Sequence, residues 1–158
     1  MSECGFDLTA YRQVLGCFAT GVAVVTTIDK HGEKAGITVS SFNTVSMDPP
    51  LVLWSIAKDS LTYEIFAVAE YFAVNVLAKH QKSICDRFAA SGPDKFDGLD
   101  CSEGIEGVPI LPDFSASFEC RTEHRHVGGD HQIVVGRVLK FADRKTDPLI
   151  FYRGHFLT

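Results

Sequence analysis

Hydrophobic positions change their period along the chain, and the changes mark the elements. Between Phe6 and Phe18 the apolar residues Leu8, Tyr11, Val14, Leu15 and Phe18 recur at helical spacing. Asp7 or Thr9 is placed to cap that helix, and Gly21 to stop it. From Val22 to Ile28 the run is continuous and β-branched, which predicts a buried strand. Asp29 to Gly32 reads as a turn, and Ala35 to Ser41 as the returning strand of a hairpin. Asp48-Pro49-Pro50 interrupts the chain, because proline lacks a ladder donor and restricts its neighbour. Leu51 to Ile56 is a third strand.

Beyond it, Ser60 to Ala69 predicts a short helix capped by Ser60 and supported by Glu64. Tyr71 to Leu77 is a fourth strand. Lys79 to Ala90 reads as a helix with Ile84 and Phe88 on one face. Residues 92–112 are rich in Gly, Pro and Asp and predict a surface loop with small elements. Two long strands follow, Ala116 to Val127 and His131 to Ala142, joined by Gly128-Gly129-Asp130. Leu149 to Leu157 is a last extended segment. Strands meeting through tight turns, with few helices between them, point to an antiparallel barrel rather than a doubly wound sheet. Closing a sheet also removes exposed edges.

Composition fits this picture. The chain has 158 residues, 46% hydrophobic and 22% charged, as expected for one globular domain spanning 1–158. Its longest apolar runs are too short to span a bilayer. Met1-Ser2-Glu3-Cys4-Gly5 has no secretory pattern, so the expected location is the cytoplasm. A net charge of −5 argues against binding nucleic acid or an anionic membrane. The cysteines are Cys4, Cys17, Cys85, Cys101 and Cys120, an odd number without a C-x-x-C pair. Reduced packing residues are expected, not a disulfide framework or zinc site.

Three segments offer chemistry. Gly36 to Pro50 gathers small hydroxylated residues at a strand end, where backbone N–H groups can approach a planar polar ligand; an ordinary polar turn uses the same residues. Ser55 to Thr62 places Lys58 and the hydroxyls of Ser60 and Thr62 where a strand enters a helix. That suits a phosphate, and plain N-capping by Ser60 equally. Gly128 to Gly136 puts His131 after a tight turn, where it can meet a nucleotide or serve as a turn histidine. His124 and His126 would share one face of a strand, but no third ligand is identifiable, so no metal site is expected. No Gly-x-Ser-x-Gly elbow, phosphate-loop Gly-Lys-Ser or Gly-x-Gly-x-x-Gly fingerprint is present.

Taken together the chain resembles the flavin reductase-like family, whose fold is the FMN-binding split barrel. The resemblance rests on FATGVAVVT at 18–26, GITVSSFN at 36–43, VSMDPPLVL at 45–53, FAVNVL at 72–77, Gly129-Asp130-His131 and LIFYRG at 149–154. It implies a mainly β chain with short helices, a closed antiparallel split β-barrel of Greek-key type, and a homodimer. It implies an NAD(P)H:flavin oxidoreductase that passes hydride from NADH or NADPH to FMN or FAD. A separate flavin-dependent monooxygenase would receive the reduced flavin.

Carried over by position, Thr38, Val39, Ser40 and Ser41 would line the flavin ring edge. Ser55, Ile56, Ala57, Lys58, Ser60 and Thr62 would meet the ring and its phosphate tail, with Asn75 and Arg87 adding contacts. His131 and Tyr152 would meet the nicotinamide nucleotide. Asp59 beside Lys58, and Asn43 in place of a hydroxylated residue, depart from the family pattern. Two other readings share these residues: a flavoprotein that keeps FMN as an electron carrier or oxidase, and a non-enzymatic flavin-binding module.

Overall fold

The computed structural model describes residues 5–157. Helix α1 spans Leu8–Leu15. Asp7 caps it: the carboxylate accepts from the Thr9 and Ala10 amides at 2.9 and 3.3 Å. The helix ends at Gly16 and not at the predicted Gly21, which instead lies in the short strand β1 (Thr20–Gly21). Strands β2 (Ala23–Ile28) and β3 (Lys34–Val39) form the expected hairpin. A strand missed by the pattern, β4 (Asn43–Met47), then pairs with β5 (Pro50–Ala57). Its alternation is masked because β4 is a sheet edge and its side chains are mostly exposed.

Helix α2 (Tyr63–Val68) is shorter than expected. Thr62 occupies its cap position, while Ser60 sits in the preceding turn. Strand β6 (Tyr71–Val76) leads to α3 (Lys82–Ala89). The latter starts late because the Gln81 amide is tied to Ala78 N and Pro112 O. Within the long loop lie β7 (Ser102–Glu103), a 3₁₀ turn (Ile105–Gly107) and β8 (Pro109–Ile110). The long hairpin β9 (Ala116–Gly128) and β10 (His131–Asp143) follows, then β11 (Ile150–Tyr152) and β12 (His155–Leu157).

The main sheet has seven strands in the order β3-β2-β6-β9-β10-β5-β4, and every ladder is antiparallel. β1, β11 and β12 form a separate three-stranded sheet. β2 reads as a continuous apolar run because both of its faces are covered. Ala23 and Val25 enter the cluster around Trp54, Phe66 and Phe72. Val24 enters a second cluster with Leu77, Phe88 and Leu111. Trp54 meets Phe66 and Phe72 edge-on at 5.0 and 5.8 Å between centroids. Burying one such aromatic side chain contributes about 1.5–3 kcal/mol.

Gly36 lets α3 approach the hairpin, since a Cβ there would stand 2.5 Å from Phe88 Cε1. The chain thus fixes both the β5–β10 ladder and the packing of α3 on β3, and the candidate residues hang from these two features.

Candidate functional site

The β5–β10 ladder sets the first part of the site. His131 pairs with Ala57, so the start of β10 lies beside the end of β5. Gly129, at φ +65, makes the β9–β10 turn in a conformation that favours glycine. That turn is tied to β5: the Lys58 amide donates to Asp130 O at 3.0 Å, and Lys58 Nζ donates to Gly129 O at 2.7 Å. Asp130 Oδ1 lies 2.7 Å from His131 Nδ1. The hydrogen bond from His131, reinforced by its charge, holds the Asp130 carboxyl below its usual range. With Nδ1 engaged, Nε2 is the His131 atom free for a ligand. Two segments, joined by a Lys58–Gly129 bond that spans 71 residues of sequence, thereby share one rim.

The 38–41 segment approaches the same strand from the other side. Ser41 Oγ accepts from Ser55 N at 2.9 Å and donates to Ser55 O at 3.2 Å. Ser40 is exposed. Thr38 and Val39 face elsewhere. The Thr38 hydroxyl donates to Cys85 O at 2.7 Å, tying β3 to α3, and the Val39 side chain is buried in the core. Ile56 is also a core side chain, whereas Ser55 and Ala57, on the opposite face of β5, are half-buried. A ligand at this rim would meet Ser40, Ser41, Ser55 and Ala57, and only the backbone of Val39 and Ile56.

Beyond Lys58 the chain enters a concavity of about 220 Å³. Ile37 and Phe88 supply apolar wall; Asp59, Ser60, Thr62, Ser91 and Lys95 supply polar groups. The Ser60 and Thr62 hydroxyls stand 3.1 Å apart. Lys95 is half-buried, its Nζ donates to Phe88 O at 3.1 Å, and burial pushes its pKa down. Lys95 and Ser91 escaped the sequence reading. They lie in an irregular loop, where no periodicity shows which way a side chain points. Hydroxyls, an ammonium and apolar walls fit the phosphate tail of a flavin.

Three further residues named from the sequence lie away from the Ser60–Thr62 concavity of this chain. Asn75 is fully buried. Its Nδ2 donates to Val24 O and Thr26 Oγ1 at 3.0 and 3.1 Å, and its Oδ1 accepts from Leu111 N at 2.9 Å. With donors and acceptor consumed, it is a cross-strand fastener and offers no open face. Arg87 donates to Asp97 O at 2.9 Å and lines a neighbouring concavity with Ser91 and Lys95, outside the Ser60–Thr62 one. Tyr152 sits on the three-stranded sheet near the end of α1, with the Arg153 guanidinium 5.6 Å from its ring centre. His124 and His126 are exposed on β9 with rings 5.9 Å apart. No helix among the described residues is long and apolar enough to cross a membrane.

Comparison with known proteins finds similarity along most of the chain. The chain is 47% identical over 152 residues to the FMN reductase (NADH) SmoA of Agrobacterium fabrum, covering 96% of this chain and 86% of that protein. It is 43% identical over 151 residues to HsaB, the reductase subunit of a flavin-dependent monooxygenase of Rhodococcus jostii, covering 95% and 77%. It spans only 49% of the length of another curated relative. Among solved structures, the NADH:FAD oxidoreductase SgcE6 of Streptomyces globisporus, in complex with NAD and FAD fragments, matches with a TM-score of 0.91 and 35% identity, covering 96% of this chain and 92% of that one. The flavin reductase like domain matches residues 15–158, and the chain belongs to that family.

Proposed function

We propose that this chain is an NAD(P)H:flavin oxidoreductase that passes hydride from NADH to FMN or FAD and supplies reduced flavin to a separate monooxygenase component in the cytoplasm. The observation that carries the reading is the shared rim. The His131–Ala57 register sets a histidine with a free Nε2 next to the strand end that runs into Lys58, Ser60 and Thr62. One edge then serves a dihydropyridine nucleotide and the other a flavin tail. The names of SmoA, an FMN reductase (NADH), and SgcE6, an NADH:FAD oxidoreductase, support the reaction, and that of HsaB, a monooxygenase reductase subunit, supports the partner.

A bound flavin supplies the hydride acceptor, so the chain needs neither a nucleophile nor a strong base. Its residues orient and exclude. Ser41 and Ser55 hold the 38–41 segment against β5, where its polar groups would meet the edge of a bound flavin and stabilise negative charge there. Asp130 fixes the His131 ring, and His131 positions the nicotinamide nucleotide. Bringing the two rings together in a fixed pose lowers the entropic part of the barrier.

The Ser41–Ser55 exchange also supports closure of the sheet as a single split-barrel domain, since it joins the end of β3 to β5. A homodimer is supported by α1. None of its side chains is buried, and Leu8, Tyr11, Val14 and Leu15 are exposed. The experiment is oxidation of NADH and of NADPH by the purified chain with FMN, FAD and riboflavin supplied separately. Flavin-dependent oxidation is expected; a chain that consumes neither nucleotide with any of the three is not a reductase.

A further inference from the structure

A concavity of about 890 Å³ lies on the other side of α2, and none of Ser41, Ser55, Ser60, Thr62 and His131 lines it. That volume falls in the range of small-molecule sites, roughly 300–1,000 Å³. Three elements enclose it: the end of β2 with its turn, α2 with the run into β6, and the 3₁₀ turn Ile105–Gly107 with the residue after it. Part of its wall is apolar and firmly seated. Val108 is buried, and Ile28 and Tyr71 pack with it in one cluster. α2 adds Ile65 and Val68. Val68 is 79% exposed, so the fold leaves a branched aliphatic side chain uncovered on this wall.

The remaining wall is acidic. Glu64, Glu70 and Glu106 line the concavity and are exposed. Among the described residues none of these three carboxylates has an ion-pair partner. Asp29 is a fourth carboxylate, and the β2–β3 turn already uses it: its Oδ1 accepts from the His31 and Glu33 amides at 2.8 Å. The opposing charge is Lys30, with His31 beside it. Four carboxylates against one lysine leave the wall net negative. Apolar walls of low dielectric concentrate such a field inside a cleft. An anion would be repelled here, and a neutral apolar molecule would give the carboxylates no partner. A cation with an apolar body satisfies both surfaces, and the Tyr71 ring adds a π-face of the kind that attracts ammonium groups.

We propose that this concavity is a second ligand site, and that its ligand is a small organic cation with an apolar body, a substituted amine or a quaternary ammonium. The assignment does not depend on the flavin reading. α2 is nonetheless common to both regions: Ile65 lines this concavity and also the one of about 610 Å³ that runs past Thr62. A bound cation therefore touches the helix whose cap residue is Thr62.

The test is titration of the ¹⁵N-labelled chain with benzyltrimethylammonium, benzenesulfonate and benzyl alcohol, three probes that share an aromatic body and differ in charge. Amide shifts report both affinity and place. The ammonium shifts the amides of α2 and of Ala69 to Tyr71 saturably, the sulfonate does not, and the alcohol binds more weakly. Added salt weakens the ammonium. In Glu64→Gln/Glu106→Gln its affinity falls by about fivefold or more, as for the loss of two exposed charge contacts. Val68→Lys, which sets a cation on the wall, abolishes binding, while Asp147→Asn, outside the concavity, binds as the wild type does. Circular dichroism and thermal melting check that each variant is folded. Lack of a saturable shift with the ammonium, equal affinity for the three probes, shifts centred elsewhere, or an equal loss in Asp147→Asn overturns the proposal. So does an unchanged affinity in the folded double variant.

Discussion

Ser41 and Ser55 exchange two hydrogen bonds through one hydroxyl: Ser41 Oγ accepts from the Ser55 amide at 2.9 Å and donates to the Ser55 carbonyl at 3.2 Å. A side chain thus takes the place of a neighbouring strand just before β4 begins. Both residues are half-buried, so the backbone groups of Ser55 need this partner.

Removing that hydroxyl tests both roles of the segment. Ser41→Ala leaves the Ser55 amide and carbonyl without it and is expected to cost about 1–2 kcal/mol in urea unfolding. Because the proposed flavin site also includes Ser40 and Ser41, flavin affinity of the folded variant is expected to fall as well. Unchanged stability together with unchanged flavin binding would contradict the geometry.

Asn75 offers the opposite pattern. Its amide joins Val24 O, Thr26 Oγ1 and Leu111 N inside the protein. Asn75→Leu strands a buried carbonyl and a buried amide, a loss of about 2–4 kcal/mol. Measured well below the midpoint of unfolding, flavin affinity should stay within about twofold of the wild type, since the loss falls on folding. A selective loss of flavin affinity without destabilisation would place Asn75 in the ligand site.

His131 is expected to act on the nucleotide alone. In His131→Ala the KM for NADH rises by about tenfold, as for loss of one ligand hydrogen bond, while direct flavin titration is nearly unchanged. Asp130→Asn, which weakens the bond to Nδ1, produces a smaller shift in the same direction. Steady-state NADH kinetics that match the wild type would take His131 out of the site.

Acid stability is expected to depend on the ion pair across the β9–β10 ladder. Arg137 donates to both carboxylate oxygens of Glu123, at 3.1 and 2.7 Å, and holds that carboxyl below its usual range. A lowered carboxyl pKa stabilises the fold when the group is ionised in both states. The contribution is therefore present above the unfolded carboxyl pKa and is lost as the pH falls through the lower, folded value. Melting temperatures of the wild type and Glu123→Gln should differ near neutral pH and converge on acidification. A gap that widens toward acid pH would reverse the sign.

The sequence by itself determined the strand-rich architecture and most of its elements. Val22–Ile28, Tyr71–Leu77 and the two long strands around Gly129 are legible because their apolar runs and turn residues admit few alternatives. The family motifs pointed to residues 38–62 and 131 as the proposed ligand neighbourhood. Position within the sheet decided the rest. β4 went unread because an edge strand covers no core and shows no alternation. Thr38 and Asn75 are chemically apt for a ligand, but their polar atoms are taken by Cys85, Val24, Thr26 and Leu111, partners distant in the chain. Lys95 is an ordinary loop lysine until α3 packs on β3 and brings it over Ser60 and Thr62. Residue type sets what a side chain can do. Only the long-range register and packing set which of its hydrogen bonds remain to be made.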